Sequence, residues 1–218
     1  MNRIFNMDNG FFRTLSKLVD CIYLNFLFIL TCIPIFTIGA SMTAFYYTMQ
    51  KVIRNDRGYV SSEYWHGFKT NFKQSTLTWL IVLAVGVLTS FDLQFMKAMS
   101  EAGSKIGNMY VFFGVLLMLL VLWCSYLFPY MARFINGMKA SMKNAALIAI
   151  MNLPWTLLIL VILVVLGLLM WLFLPISIFV VPVIFCWLQN RIMERIFRKY
   201  MTEEDKAQED EMNREYKN

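Results

Sequence analysis

Between Asp20 and Lys51 the chain carries no charged residue: "CIYLNFLFILTCIPIFTIGASMTAFYYTMQ". That run is too long for one membrane crossing of about 20 residues. Pro34 and Gly39 interrupt it, as a helix breaker and a turn former do. Apolar blocks follow at 75–96, 109–131 and 153–188. Hydrophobic residues make up 59% of the chain and charged residues 16%, where a globular domain has about 25% charged. So few charges cannot cover so much apolar surface in water, and the mean hydropathy is +0.56. In lipid only helices or closed barrels satisfy their own backbone. Barrel strands alternate in polarity, and these runs do not. The expectation is an all-α polytopic helical membrane protein.

The first run divides into helices at 18–34 and 36–53. The second contains Ser41, Thr43, Thr48 and Gln50, which leaves a half-buried or re-entrant helix open. Pro175 divides the last block into 153–174 and 175–188. Six spans result, with five as the alternative. With six spans and the N-terminus inside, every lysine and arginine except Lys97 and Lys105 falls on the inner side. The five-span arrangement gives a weaker bias of that kind. A multi-pass cell-membrane protein with both termini cytoplasmic is therefore expected. Arg13 and Lys17 precede the first run, but it has no convincing cleavage site, so a removed signal peptide is not expected. Residues 1–201 form a single helical membrane domain. Residues 202–218 form a charged cytoplasmic tail, read as a mobile end, although Thr202 and Asp205 match a capping box and leave a short helix open.

The segment "WHGFKTNFKQSTL" at 65–77 is echoed at 135–147 by "INGMKASMKNAAL". Glycine, both lysines and the last leucine coincide. On a helix, Trp65, Phe68 and Phe72 share one arc, flanked by Lys69 and Lys73. Ile135, Met138 and Met142 do the same beside Lys139 and Lys143. An apolar arc with flanking lysines suits an amphipathic helix at the inner membrane face, where lysine stems lie on lipid and the ammonium groups reach phosphate. Ser61, Ser62 and Glu63 form a helix-start signal before the first copy. Each copy stands between an inward and an outward span, which makes a parallel repeat of 36–96 and 109–173 possible. These nine residues (Trp65, Phe68, Lys69, Phe72, Lys73, Met138, Lys139, Met142, Lys143) are the candidate interaction or membrane-interface surface.

"NFLFILTCIPIFTIGASMTAFYYTMQKVI" followed by "EYWHGFKTNFKQSTL" resembles the start of the YesL-like family. The P-x-x-T-I-G turn (Pro34, Thr37, Ile38, Gly39) and the W-x-x-F-x-x-N-F-K-Q box (Trp65, Phe68, Asn71, Phe72, Lys73, Gln74) carry the resemblance. The second half is also similar, through "LFPYMARF" and "KNAALIAI", and the likeness fades after residue 201. The resemblance implies a bacterial integral membrane protein without an established biochemical function. Genes of that family often lie beside those for carbohydrate ABC transporters and polysaccharide-degrading enzymes, which implies a role linked to sugar uptake.

Catalysis is not expected, and neither is a cofactor or metal. His66 is the single histidine, with no cysteine or paired carboxylate near it in sequence. No nucleotide-binding, serine-hydrolase or zinc-protease motif is present. Cys21, Cys32, Cys124 and Cys186 lie in or beside apolar runs and read as packing residues. The net charge of +6 sits between and after the spans, so nucleic acid is not an expected partner. Polar groups in lipid are costly, which singles out Asp20, Asn25 and Asp92 as candidate intramembrane polar residues. Asp20 and Asp92 lie near opposite boundaries, where interfacial solvation accounts for them. Arg133 reads as a positive-inside anchor. The expected partners are the lipid bilayer and an ABC transporter permease or sensor protein, with a homo-oligomer possible. The leading reading is a non-enzymatic accessory to carbohydrate uptake. A small permease acting as an oligomer is the alternative.

Overall fold

The computed structural model describes residues 10–215 and contains no β-strand among them. Eight α-helices follow in chain order. They are α1 (Gly10–Cys32), α2 (Ile38–Thr48), α3 (Val60–Glu101), α4 (Tyr110–Arg133), α5 (Met138–Met151), α6 (Leu153–Leu172), α7 (Leu174–Phe197) and α8 (Glu203–Glu215). Five stretches are long and apolar enough to cross a membrane, within α1, α3, α4, α6 and α7. The architecture is all-α and polytopic, with the five-span alternative met by length and composition.

The 36–53 stretch is helical but differs from the other apolar runs. The chain turns at Pro34, which lacks an amide hydrogen and cannot continue α1. Thr37 closes the turn, its hydroxyl donating to the carbonyls of Thr31 (2.5 Å) and Pro34 (2.7 Å). α2 then continues for six more residues as wider π-type turns over Met49–Arg54. Nearly all of it is buried. Its hydroxyls turn onto its own backbone: Ser41 to the carbonyl of Thr37 (3.0 Å), Thr43 to Gly39 (2.9 Å) and Thr48 to Ala44 (2.8 Å). This lets a polar helix sit at the centre of an apolar bundle. Thr43 also bonds Ser75 on α3 at 2.9 Å.

Gly39 stands in the first turn of α2, just past the Pro34 turn. A Cβ there would lie 2.5 Å from both the Ser75 carbonyl oxygen and Trp79 Cβ. Its role is close helix contact, the usual use of small residues between helices in lipid. The short loop between α2 and α3 places Asp56 and Gly58 in left-handed backbone (φ 54 and 77). Lys17 holds that loop through Asp56 (2.8 Å) and the Ile53 carbonyl (3.0 Å).

α3 has 42 residues, about 63 Å at 1.5 Å per residue, twice the roughly 30 Å hydrocarbon thickness. Its first part is the 65–76 segment, so that segment is the head of a long helix and not a separate interfacial helix. No proline or paired glycine follows to break it. The second copy forms α5, a helix of its own. An extended link at 134–137 precedes it and Asn152 with Pro154 ends it. α4 runs back along α3, with Trp79 near Phe128, Gly86 against Leu120, and Leu93 against Gly114. Pro175 lies in the first turn of α7, directly after the α6–α7 junction at Phe173.

Two helices contain internal prolines, Pro129 in α4 and Pro182 in α7. Proline at 129 removes the amide that would bond the carbonyl of Ser125. Gln189 on α7 supplies the missing donor at 2.6 Å. Near Pro182, Asn25 on α1 donates to the carbonyl of Phe179 at 2.6 Å. A backbone carbonyl within one turn before each proline thus accepts from a side-chain amide of another helix.

Candidate functional site

The two copies meet. Gln74 Nε2, from the first, donates to the Asn136 carbonyl (2.9 Å) and to Ser141 Oγ (3.3 Å) at the second. Both bury the same register: Ser75 and Thr78 in α3, Ala145 and Ile148 in α5. The apolar arcs lie off this buried face. Trp65 and Phe72 are 38% and 37% exposed, while Phe68, Met138 and Met142 are half-buried. Tyr64, Trp65, Phe68 and Phe72 form an edge-to-face and stacked ladder. Lys69, Lys73, Lys139 and Lys143 are exposed, and none forms an ion pair among the described residues. The structure therefore brings the end of the first segment to the start of the second, through a glutamine that sequence reasoning had placed only in a family box.

A second cluster was not foreseen. Glu194, 3% exposed, accepts from Tyr46 Oη at 3.1 Å and faces Arg133 Nε at 3.6 Å. Arg133 also pairs with Glu209 of α8, which accepts from Gln50 Nε2 at 3.1 Å. Arg198 and Asp210 add an exposed pair at 2.8 Å. One guanidinium thus holds two carboxylates and joins α2, α4, α7 and α8. A buried carboxylate is tolerable only when paired and hydrogen-bonded. The tail is accordingly a docked helix over Glu203–Glu215, and Thr202 Oγ1 caps it by accepting from the Asp205 amide at 3.2 Å. The capping box was legible in sequence. The docking was not, because it depends on a partner 76 residues away.

The three intramembrane polar candidates do not converge. Asn25 is buried against Phe179, Asp20 is half-buried near Lys17, and Asp92 is exposed on α3. They outline no relay. The cysteines are free, and no group of metal-ligating residues occurs among the described residues. His66 is exposed, with its ring 6.1 Å from that of Tyr47.

The fold and the buried ion cluster define a polytopic helical membrane protein. Residues 21–93, from α1 through most of α3, match the family described as "Protein of unknown function, DUF624". The match covers the Pro34 turn, α2 and the first lysine–aromatic segment. No curated protein and no solved structure matches the chain.

Proposed function

We propose that this is a YesL-like bacterial membrane protein that works by docking a partner and not by catalysis, as an accessory to carbohydrate uptake or sensing. The observation that carries the docking is the joining of the two copies through Gln74. It links two segments that each carry two exposed lysines without an ion pair among the described residues, Lys69 and Lys73 beside the exposed Trp65 and Phe72, and Lys139 and Lys143 beside the half-buried Met138 and Met142. We read this face, with the docked C-terminal helix, as cytoplasmic on the positive-inside pattern. The link to carbohydrate rests on the family resemblance of the Pro34 turn and the Trp65–Gln74 box. An ABC permease subunit or a sensor protein is the partner such a neighbourhood would supply.

Purification from native membrane in mild detergent tests this reading. An ABC permease or sensor should accompany the wild-type protein and be lost from a Trp65→Ala/Lys69→Ala variant that still inserts. Unchanged association and unchanged uptake in that variant would remove the docking surface from consideration. The alternative, a small solute permease acting as an oligomer, has one observation to build on: a cavity of about 310 Å³ beside Pro129 and Pro182, largely apolar, with Tyr46 and Gln189 in its lining. Sugar uptake into liposomes by the purified protein alone would favour it.

A further inference from the structure

A groove of about 760 Å³ lies between α1, the π-type end of α2 and α7. Lys17, Arg54, Arg191 and Arg195 line it, and no carboxylate does so among the described residues. Asp56 already pairs with Lys17, and Arg54 acts on the buried Glu194, so the positive surplus rests chiefly on Arg191 and Arg195. Among the described residues Arg54 uses only Nη1, on the carbonyl and Oδ1 of Asn190 at 3.1 Å. Its remaining donors are unspent, since a guanidinium has five. Arg191 lies over the Trp187 ring at 4.3 Å, and Arg195 follows one turn later. The most telling group is Asn190 itself. It is 2% exposed, lines the groove, and its Nδ2 has no acceptor among the described residues. A buried amide donor without a partner is costly. Here it stands among cations, where an anionic oxygen would satisfy it.

The rest of the groove is apolar. Leu18, Val183 and Ile184 form its walls, and they continue into the exposed Ile22 and Val180 on the outer faces of α1 and α7. A site for a free inorganic anion has no use for such walls. A phosphate with acyl chains attached has, because chains can run down the α1–α7 seam into the bilayer. Basic pockets between spanning helices are where anionic headgroups bind, and tryptophan at the same height marks an interface. We propose that this groove binds one anionic phospholipid, its phosphate held by Arg54, Arg191, Arg195 and Asn190 Nδ2.

The test uses the full chain in nanodiscs of equimolar phosphatidylglycerol and phosphatidylcholine, with native mass spectrometry of what stays bound. One phosphatidylglycerol per chain should be retained, and no phosphatidylcholine. Arg191→Gln/Arg195→Gln should weaken retention roughly 30-fold. Leu18→Trp, which fills the groove and leaves every charge in place, should also abolish it. That second variant decides the matter if the arginine pair fails to fold. Lys97→Gln/Lys105→Gln removes the same charge elsewhere and should retain the lipid. Equal retention of phosphatidylcholine, undiminished binding in both groove variants, or equal loss in the lysine pair would overturn the proposal. Displacement of the lipid by millimolar inorganic phosphate would also overturn it, in favour of a soluble anion.

Discussion

The two ends of the bundle are held by different physics. At the end where α2, α4, α7 and α8 meet, side chains bond across helices through Tyr46, Arg133, Glu194 and Glu209. Toward the other end, α3 with α4 and α6 with α7 present mostly exposed leucine, valine and phenylalanine. In lipid such surface gains nothing by being buried against another apolar helix, so association there depends on van der Waals fit. Bonds that depend on exact partners can fix which helices meet at the first end. The second end leaves the choice largely to chain connection and to the bilayer.

The largest break in that contrast comes from Arg133→Met. It leaves Glu194 buried and Glu209 without its cation, and removing one partner of a buried pair costs about 3–5 kcal/mol. Unfolding of the purified protein in detergent, followed by tryptophan fluorescence, should show that loss together with release of α8 to proteolysis. Adding Glu194→Met should recover part of it, because the uncompensated charge is then gone. A fully stable Arg133→Met protein would mean that the polar end does not hold the bundle together.

Gly39→Ala comes next. The new methyl group would meet the Ser75 carbonyl oxygen and Trp79 Cβ at 2.5 Å each, and backbone on one side cannot yield. Overpacking of this kind costs about 1–3 kcal/mol. The same unfolding measurement reads it, and the α2–α3 seam beside Thr43 and Ser75 should loosen. A wild-type unfolding midpoint would show that α2 can stand off from α3.

How much of this was legible follows from which interactions are local. The apolar runs announce helices because lipid leaves the backbone no other solution. The Pro34 turn, the α6–α7 junction at Pro175 and the Thr202 cap follow from single residues acting on their neighbours. The 65–77 and 135–147 segments share a pattern but not a fate. Asn152 and Pro154 end one, while "STLTWL" lets the other run on to Glu101 within a helix of 42 residues. The breaker lies outside the pattern, so the pattern alone misleads. The hydroxyls of α2 make it read from sequence as a weak span or a half-buried helix; in the fold they bond the helix's own carbonyls. A proline at 129 predicts a lone carbonyl at Ser125. Only the fold reveals that Gln189 answers it from 64 residues away. The Arg133–Glu194–Glu209 cluster is hidden for the same reason.

The smallest expected effect tests the other end, and it has the opposite sign. Gly86 also faces a neighbouring helix, but a Cβ there would sit 3.5 Å from Leu120 Cδ2, an ordinary contact. Gly86→Ala therefore adds a packing contact and removes a flexible residue from the middle of α3. Glycine in a helix interior costs roughly 0.5–1 kcal/mol relative to alanine, so the variant should be neutral or more stable by up to about that amount. The same substitution at Gly39 and Gly86 thus gives opposite answers because a backbone carbonyl stands against one glycine and a leucine methyl against the other. A large loss at Gly86 would mean that the α3–α4 seam is as tightly fitted there as beside Gly39, and the division of the bundle into a specified end and a permissive end would fail.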